Sequence, residues 1–249
     1  MRNCLTAVLL LIAAVTVNDN EVWEWVDDNS HHNSMVHIEV AIPQVVEMFG
    51  KKQIIESKGY GSGVVIAVDK SRPINGGYVG LVATARHVVI DCAKNNKVKI
   101  EFAGLEKSSG CKVIAWSNER DDVALVECVV PEGIEAMPVE DTPLTYQQEF
   151  EFAGYGNRTR RERIRHFKGE AARPTDSRKL YADESFIPGD SGGAAFVDGV
   201  VVGICNGGCI WWKESGNPQS MTWPARLSQS TTLIELINQT DWKGKVEIR

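Results

Sequence analysis

From Val36 onward the chain reads as short apolar runs broken by turn residues, a pattern of strands rather than of amphipathic helices. Residues 63–68 and 80–85 are two such runs, the second preceded by the turn signal Asn75-Gly76-Gly77. Lys97 to Phe102 alternates polar and apolar side chains, as a half-buried strand does. Further runs lie at 113–116, 123–126, 149–153, 179–182, 194–197 and 200–204. Many short strands at near-regular spacing predict an all-β sandwich or barrel, and the proline-dotted stretch 131–145 is the place to divide it into two halves. Only residues 226–239 carry helical spacing, with Leu227, Leu233, Ile234 and Ile237 on one face and a cap within 228–231.

The N-terminus departs from this pattern. Arg2 precedes residues 4–17, an uninterrupted run of apolar residues and threonines that Asn18-Asp19-Asn20-Glu21 ends sharply. That is the layout of a secretory signal peptide, cleaved near Thr16, and the run is short of the roughly 20 apolar residues of a membrane span. The mature chain is therefore expected to be secreted or periplasmic, with no stable membrane span. Residues 18–35 read as a polar surface arm whose Trp23 and Trp25 pack on the domain and whose His31-His32 pair is solvated.

At 249 residues the chain can bury a sizeable core, as one large domain or two closely joined halves. A formal charge of −6 gives no case for nucleic-acid or membrane-surface binding. Loss of residues 1–17 removes Cys4 and leaves Cys92, Cys111, Cys128, Cys205 and Cys209, an odd number that allows at most two internal disulfides of undetermined pairing. Cys205 and Cys209 are spaced to close a small loop, but no second Cys or His pair stands at metal-ligand spacing, so no metal is expected.

One stretch is hard to read as mere turn: FIPGDSGGAAF at residues 186–196, with Gly189-Asp190-Ser191-Gly192-Gly193 between two apolar segments. A serine flanked by glycines suits a chain that holds a hydroxyl exposed beside bared backbone N–H groups. A hydroxyl becomes a useful nucleophile when a base takes its proton and a third group fixes that base in one tautomer. Of the candidate bases, His87 ends an apolar strand, whereas His166 sits among arginines. For the orienting acid, Asp122 directly precedes the apolar run 123–126, and Asp121 reads as its solvated turn neighbour. The basic segment 158–168, if extended, places Arg161, Arg163 and Arg165 on one face, which reads as a solvated face or, more sharply, an exosite for acidic substrates.

Gly-Ser-Gly at 61–63, Thr-Ala-Arg-His at 84–87, Asp-Val-Ala-Leu at 122–125 and Gly-Asp-Ser-Gly-Gly at 189–193 together resemble the chymotrypsin/trypsin-fold serine proteases, in the family's order His, Asp, Ser. The resemblance covers about residues 36–240 and is closest to bacterial trypsin-like and HtrA-type domains without a PDZ module. It implies two six-stranded antiparallel β-barrels with a C-terminal helix: an N-barrel over about 36–140, a C-barrel over about 141–225 and the helix at 226–239. It implies a serine endopeptidase that needs no cofactor and acts on polypeptides, with Ser191 as nucleophile, His87 as base, Asp122 as orienting acid, and the N–H groups of Gly189 and Ser191 as oxyanion hole. Ser185 would lie at the base of a neutral specificity pocket, with Asn206, Gly207 and Gly208 as its wall and Gly208 leaving the entrance open.

The sequence departs from the family pattern in several places. Val88 stands where animal members carry a disulfide cysteine, Pro188 precedes the oxyanion loop, and no Ile-Val-Gly-Gly-type new N-terminus is visible to pair with Asp190. Asp190 therefore needs another partner. The competing reading is a catalytically silent trypsin-fold binding protein. An α/β-hydrolase fails, because Ser191 lacks the Gly-x-Ser-x-Gly elbow and the chain lacks helix–strand alternation.

Overall fold

A computed structural model of the chain describes residues 33–48, 51–93, 97–102, 107–108, 111–156, 164–176, 178–182, 186–207 and 225–249. The predicted signal peptide, most of the N-terminal arm, residues 158–163, Ser185, Gly208 and Cys209 lie outside them.

Seven antiparallel strands make the first half: β1 (Met35–Met48), β2 (Lys51–Ile74), β3 (Gly77–Ala85), β4 (Val98–Phe102), β5 (Lys107–Ser108), β6 (Lys112–Trp116) and β7 (Val123–Pro131). Their order in the sheet is β5-β4-β1-β2-β3-β7-β6, so the two-residue β5 is an addition at one edge of the six expected. Between β3 and β4 the chain makes the single turn α1 (Arg86–Val89) and a 3-10 turn at Ile90–Cys92. The second half is a closed barrel of β8 (Glu149–Gly154), β9 (Arg165–Asp176), β10 (Lys179–Ala182), β11 (Ala194–Val197), β12 (Val200–Gly207) and β13 (Ala225–Gln229), in the order β10-β13-β12-β11-β8-β9. The helix α2 (Ser230–Ile237) follows. The fold is the all-β architecture expected, with its C-terminal helix.

Two boundaries differ from the sequence pattern. Residues 226–229 belong to β13 rather than to the helix: Leu227 turns into the barrel, and β13 closes the ring between β10 and β12. A ladder on both sides outweighs one helically spaced leucine. The helix then starts at Ser230 with Gln229 as its N-cap residue and no side-chain cap bond, so the cap expected within 228–231 does not form.

The apolar side chains sort into three clusters. Val36, Ile38, Val65, Ile100, Phe102 and Val126 fill the first sheet, and Phe150, Phe152, Leu180, Phe186 and Leu227 fill the barrel. A third joins the halves through Leu81, Leu125, Ala194, Phe196, Leu233 and Trp242, all buried. Burying each large side chain contributes about 1.5–3 kcal/mol, so the seam between the sheets is as much a core as either interior. The connection between the halves is threaded through it: Met137 N–H donates to Val65 O at 2.9 Å, Val201 N–H to Pro138 O at 2.8 Å and Arg249 N–H to Val139 O at 3.0 Å.

Cys92, Cys111, Cys128 and Cys205 are buried thiols in no disulfide, and the neighbouring Cys111 and burial push the Cys128 thiol well up. Among the described residues no helix is long and apolar enough to cross a membrane.

Candidate active site

The register of β3 on β7 pairs Ala85 with Val123, so the residues just beyond each strand end, Arg86-His87 and Asp122, face one another. Three hydrogen bonds join them. Arg86 N–H donates to the Asp122 carbonyl at 3.1 Å, His87 N–H to Asp122 Oδ1 at 2.9 Å, and His87 Nδ1 meets Asp122 Oδ2 at 2.7 Å. Asp122 sits at φ +52°, a left-handed conformation that aspartate tolerates better than most residues, and its N–H is held by the Asn118 carbonyl. The carboxylate side chain is 12 % exposed and the imidazole 48 %. A carboxylate on Nδ1 selects the Nδ1–H tautomer and leaves Nε2 as the acceptor of the ring.

Ser191 lies in the loop after Phe186, a fully buried ring packed on Phe152 and Phe167. The loop is anchored by Asp190, whose carboxylate has no solvent exposure. Arg165 Nη1 donates to Asp190 Oδ2 at 2.7 Å, and Ile187 N–H donates to the same oxygen at 2.9 Å. Burial pushes the Asp190 carboxyl above its ordinary range, against the Arg165 guanidinium and the Ile187 N–H, which hold it down. Arg165 is thus no part of a solvated basic face. Its side chain is 9 % exposed, its guanidinium lies 4.4 Å over the Phe167 ring, and the pairing of Gly154 with Arg165 at the end of β8 and β9 brings it to the loop.

The loop's N–H groups are of two kinds. Asp190 N–H donates to Ile187 O, Gly192 N–H to Cys205 O and Gly193 N–H to Asp190 O, at 2.7–3.0 Å. Among the described residues the N–H groups of Gly189 and Ser191 donate to no backbone carbonyl. Gly189 has φ +105°, and a Cβ there would fall 2.5 Å from the Tyr155 carbonyl, so only glycine fits.

Ser62, the middle residue of Gly-Ser-Gly, ties this loop to the first sheet. Its N–H donates to the Ser191 carbonyl at 2.8 Å and its hydroxyl to the Gly189 carbonyl at 2.7 Å. The same Oγ accepts Tyr155 N–H, and the Ser62 carbonyl accepts the Thr84 hydroxyl, each at 2.7 Å. Gly192 completes the junction: at φ +88°, a Cβ would lie 2.1 Å from the Ser62 carbonyl and 3.0 Å from Ala85 N. The residue after Ser191 therefore touches the strand end two residues before His87.

The other candidates have different surroundings. Asp121 is buried, 2 % exposed, and not a solvated turn residue: Arg178 Nη1 donates to its carboxylate at 2.6 Å and Asn118 Nδ2 at 2.9 Å. His166 is engaged with Glu151 at 2.7 Å on the barrel wall. Asn206 is buried, and its side-chain amide donates to the Ser228 hydroxyl at 2.6 Å and to the Asp121 carbonyl at 3.3 Å. Ser185 and Gly208 fall outside the described residues.

Residues 61–204 match the family described as trypsin-like peptidase domain, more than half of the chain. The chain belongs to that family. The matched span opens on the Gly-Ser-Gly junction, takes in His87, Asp122 and Ser191, and closes in β12. Membership in the trypsin-like peptidase domain family supports a peptidase function of the serine type, and with it a polypeptide substrate. No curated protein matches the chain.

Two residues of this trypsin-like peptidase domain had no assigned part in the sequence. Ser62 shows itself only as a hydroxyl between two glycines at the start of a fully apolar strand, a place where a buried hydroxyl needs a partner. Arg165 is masked by the arginines around it, and no local pattern separates it from them.

Proposed function

We propose that this trypsin-like peptidase domain is an exported serine endopeptidase that cleaves peptide bonds through Ser191, His87 and Asp122. The observation that carries the reading is the 2.7 Å contact of His87 Nδ1 with a nearly buried Asp122 carboxylate, leaving Nε2 as the acceptor of a half-exposed ring. Ser191 Oγ attacks the scissile carbonyl carbon while His87 Nε2 takes the hydroxyl proton. The imidazolium formed is balanced by Asp122, and the new oxyanion is received by the N–H groups of Gly189 and Ser191. Each such donor is worth about 2.7–4 kcal/mol in the transition state. Collapse breaks the C–N bond as His87 gives its proton to the leaving amine, and water then hydrolyses the Ser191 ester by the same route in reverse order.

Arg165 supplies within the chain the cation that Asp190 requires, so the loop is set without a newly cut N-terminus. The uncharged Ser185 suits a pocket for apolar or medium side chains. Export rests on residues 1–17, and N-terminal sequencing of protein recovered outside the cytoplasm tests it: a terminus near residue 17 is expected, and retention of Met1 there would refute it. A fluorophosphonate probe tests the chemistry. Labelling of the wild type that is lost in Ser191→Ala is expected, and a folded wild type that takes no label would point to the silent binding protein instead.

A further inference from the structure

The two strands that lead into the site run far beyond the sheet. β1 and β2 pair without a break from Met35 opposite Val64 to Met48 opposite Lys51. The ladder of β1 on β4 stops at Val40, and that of β2 on β3 begins only at Gly63. Residues 42–48 and 51–57 therefore stand out as a two-stranded ribbon, roughly 20 Å long at the rise of a β-strand, and residues 58–61 of β2 have a ladder only on the β1 side.

Which edge of the ribbon is open follows from Ser62. Its N–H goes to the Ser191 carbonyl and its C=O receives the Thr84 hydroxyl, so both groups point away from β1. Backbone groups alternate along a strand, so those of Tyr60, Lys58, Glu56 and Ile54 point the same way. Among the described residues none of these four N–H groups donates to a backbone carbonyl beyond the ribbon. The ribbon also shows apolar side chains: Val45 and Ile54, directly opposite each other, are 67 % and 75 % exposed, and Ile55 on the other face is 42 % exposed. A lone two-stranded hairpin is marginal in water, and an open apolar edge invites a further strand.

We infer that the outer edge of β2, from Tyr60 to Ile54, is a strand-addition site for the polypeptide being cleaved. The inference rests on Ser191 being the nucleophile. The occupant is the substrate because the edge is continuous with the site: its inner end is bonded to the Ser191 carbonyl, so an extended chain seated at Ser191 has one flank already in line with the edge. Main-chain hydrogen bonds supply the affinity whatever the sequence, and alternate side chains fall beside Ile54 on one face and Ile55 on the other. The favoured substrate is an unfolded or extended polypeptide with apolar residues at every second position and no proline on that flank.

The test compares two quenched fluorogenic peptides sharing one cleavable core found by library profiling. One stops about two residues past the core on each side, and the other carries about ten further residues with alternating valines on one flank or the other. The wild type should cleave the longer peptide, for one flank only, with kcat/KM at least about tenfold higher, and Ile54→Pro should reduce that advantage to about twofold or less. Proline there removes an outward N–H and an exposed side chain without breaking a bond to β1. Ile54→Ser keeps the backbone and should show an intermediate advantage, so the inference does not hang on how the proline variant folds. Equal rates on both lengths in the wild type, or an advantage unaltered in both variants, would overturn it. Fluorophosphonate labelling is measured in the same samples: label without a length advantage defeats the ribbon alone, whereas no label defeats the nucleophile and the ribbon with it. Self-association of the wild type that Ile54→Pro abolishes in sedimentation would assign the edge to a second copy and overturn the proposal.

Discussion

Arg165 and Asp190 meet at 2.7 Å beneath the surface, and Asp190 is the residue immediately before Ser191. The carboxylate is fully buried and the guanidinium nearly so; removing the cation would strand a charge that water cannot reach. Arg165→Gln should cost about 3–5 kcal/mol at neutral pH. The sign of its pH dependence follows from burial, which raises the Asp190 carboxyl, and from Arg165, which opposes that rise. Without Arg165 the folded-state pKa climbs further. A carboxyl raised in the folded state lowers stability as pH rises from its unfolded value, near 4, to its folded one. The deficit of Arg165→Gln should therefore shrink as pH falls towards 4, and urea titrations at pH 7.5 and pH 4.5 measure it. An equal deficit at both would mean that the pair is not what holds the loop.

Asp122→Asn separates orientation from folding. Asparagine also accepts the left-handed conformation at φ +52°, so the turn should survive with little change in melting temperature. The amide favours the wrong imidazole tautomer, and kcat should fall by about 10⁴. Steady-state kinetics on a profiled peptide beside a thermal melt decide it, and a loss under tenfold would remove Asp122 from the proposed role.

Two glycines with nearly the same backbone angle should respond differently to alanine. Gly76, at φ +93°, has open space where its Cβ would go, whereas at Gly192, φ +88°, the Cβ would meet backbone oxygen at 2.1 Å. Gly76→Ala should cost only the conformational penalty, about 1–2 kcal/mol. Gly192→Ala should cost more than about 3 kcal/mol, or fail to fold, since a backbone carbonyl cannot swing aside as a flexible side chain does. Denaturation midpoints of the pair give the comparison.

Ser62→Ala removes one hydroxyl and with it a bond at 2.7 Å on each side, leaving Tyr155 N–H buried and unsatisfied. A stability loss of about 1–3 kcal/mol is expected. Because the Gly189 carbonyl is one of the two partners, kcat should fall while KM for a short peptide stays within about twofold. A change in KM alone would show that the hydroxyl positions substrate and not the loop.

Much of this architecture was legible beforehand because its strands are fully apolar or cleanly alternating. The runs at 63–68, 80–85, 123–126 and 200–204 all lie in strands. Where solvent replaces packing, the pattern faded. The outer part of β2 is exposed on both faces, with Ile54 and Ile55 on opposite sides, and β9 begins inside a run of arginines and contains Pro174, so neither carries the alternation of a half-buried strand. Arg165 and Asp121 differ from their sequence expectation for one reason: sequence counts charges, while burial depends on the partner the fold brings, Asp190 for one and Arg178 for the other. Asp122 differed from Asp121 only in its place against an apolar run, and that place is where β7 meets the end of β3.

Ser62 is the hinge pin of the molecule in a mechanical sense. Its amide, hydroxyl and carbonyl each grip a different piece of the opposite half or of the strand beside it, so the two sheets cannot drift apart by degrees while the loop at 189–191 keeps its shape. Heat should then abolish turnover and global structure at one temperature, with no cooler range in which a folded chain idles.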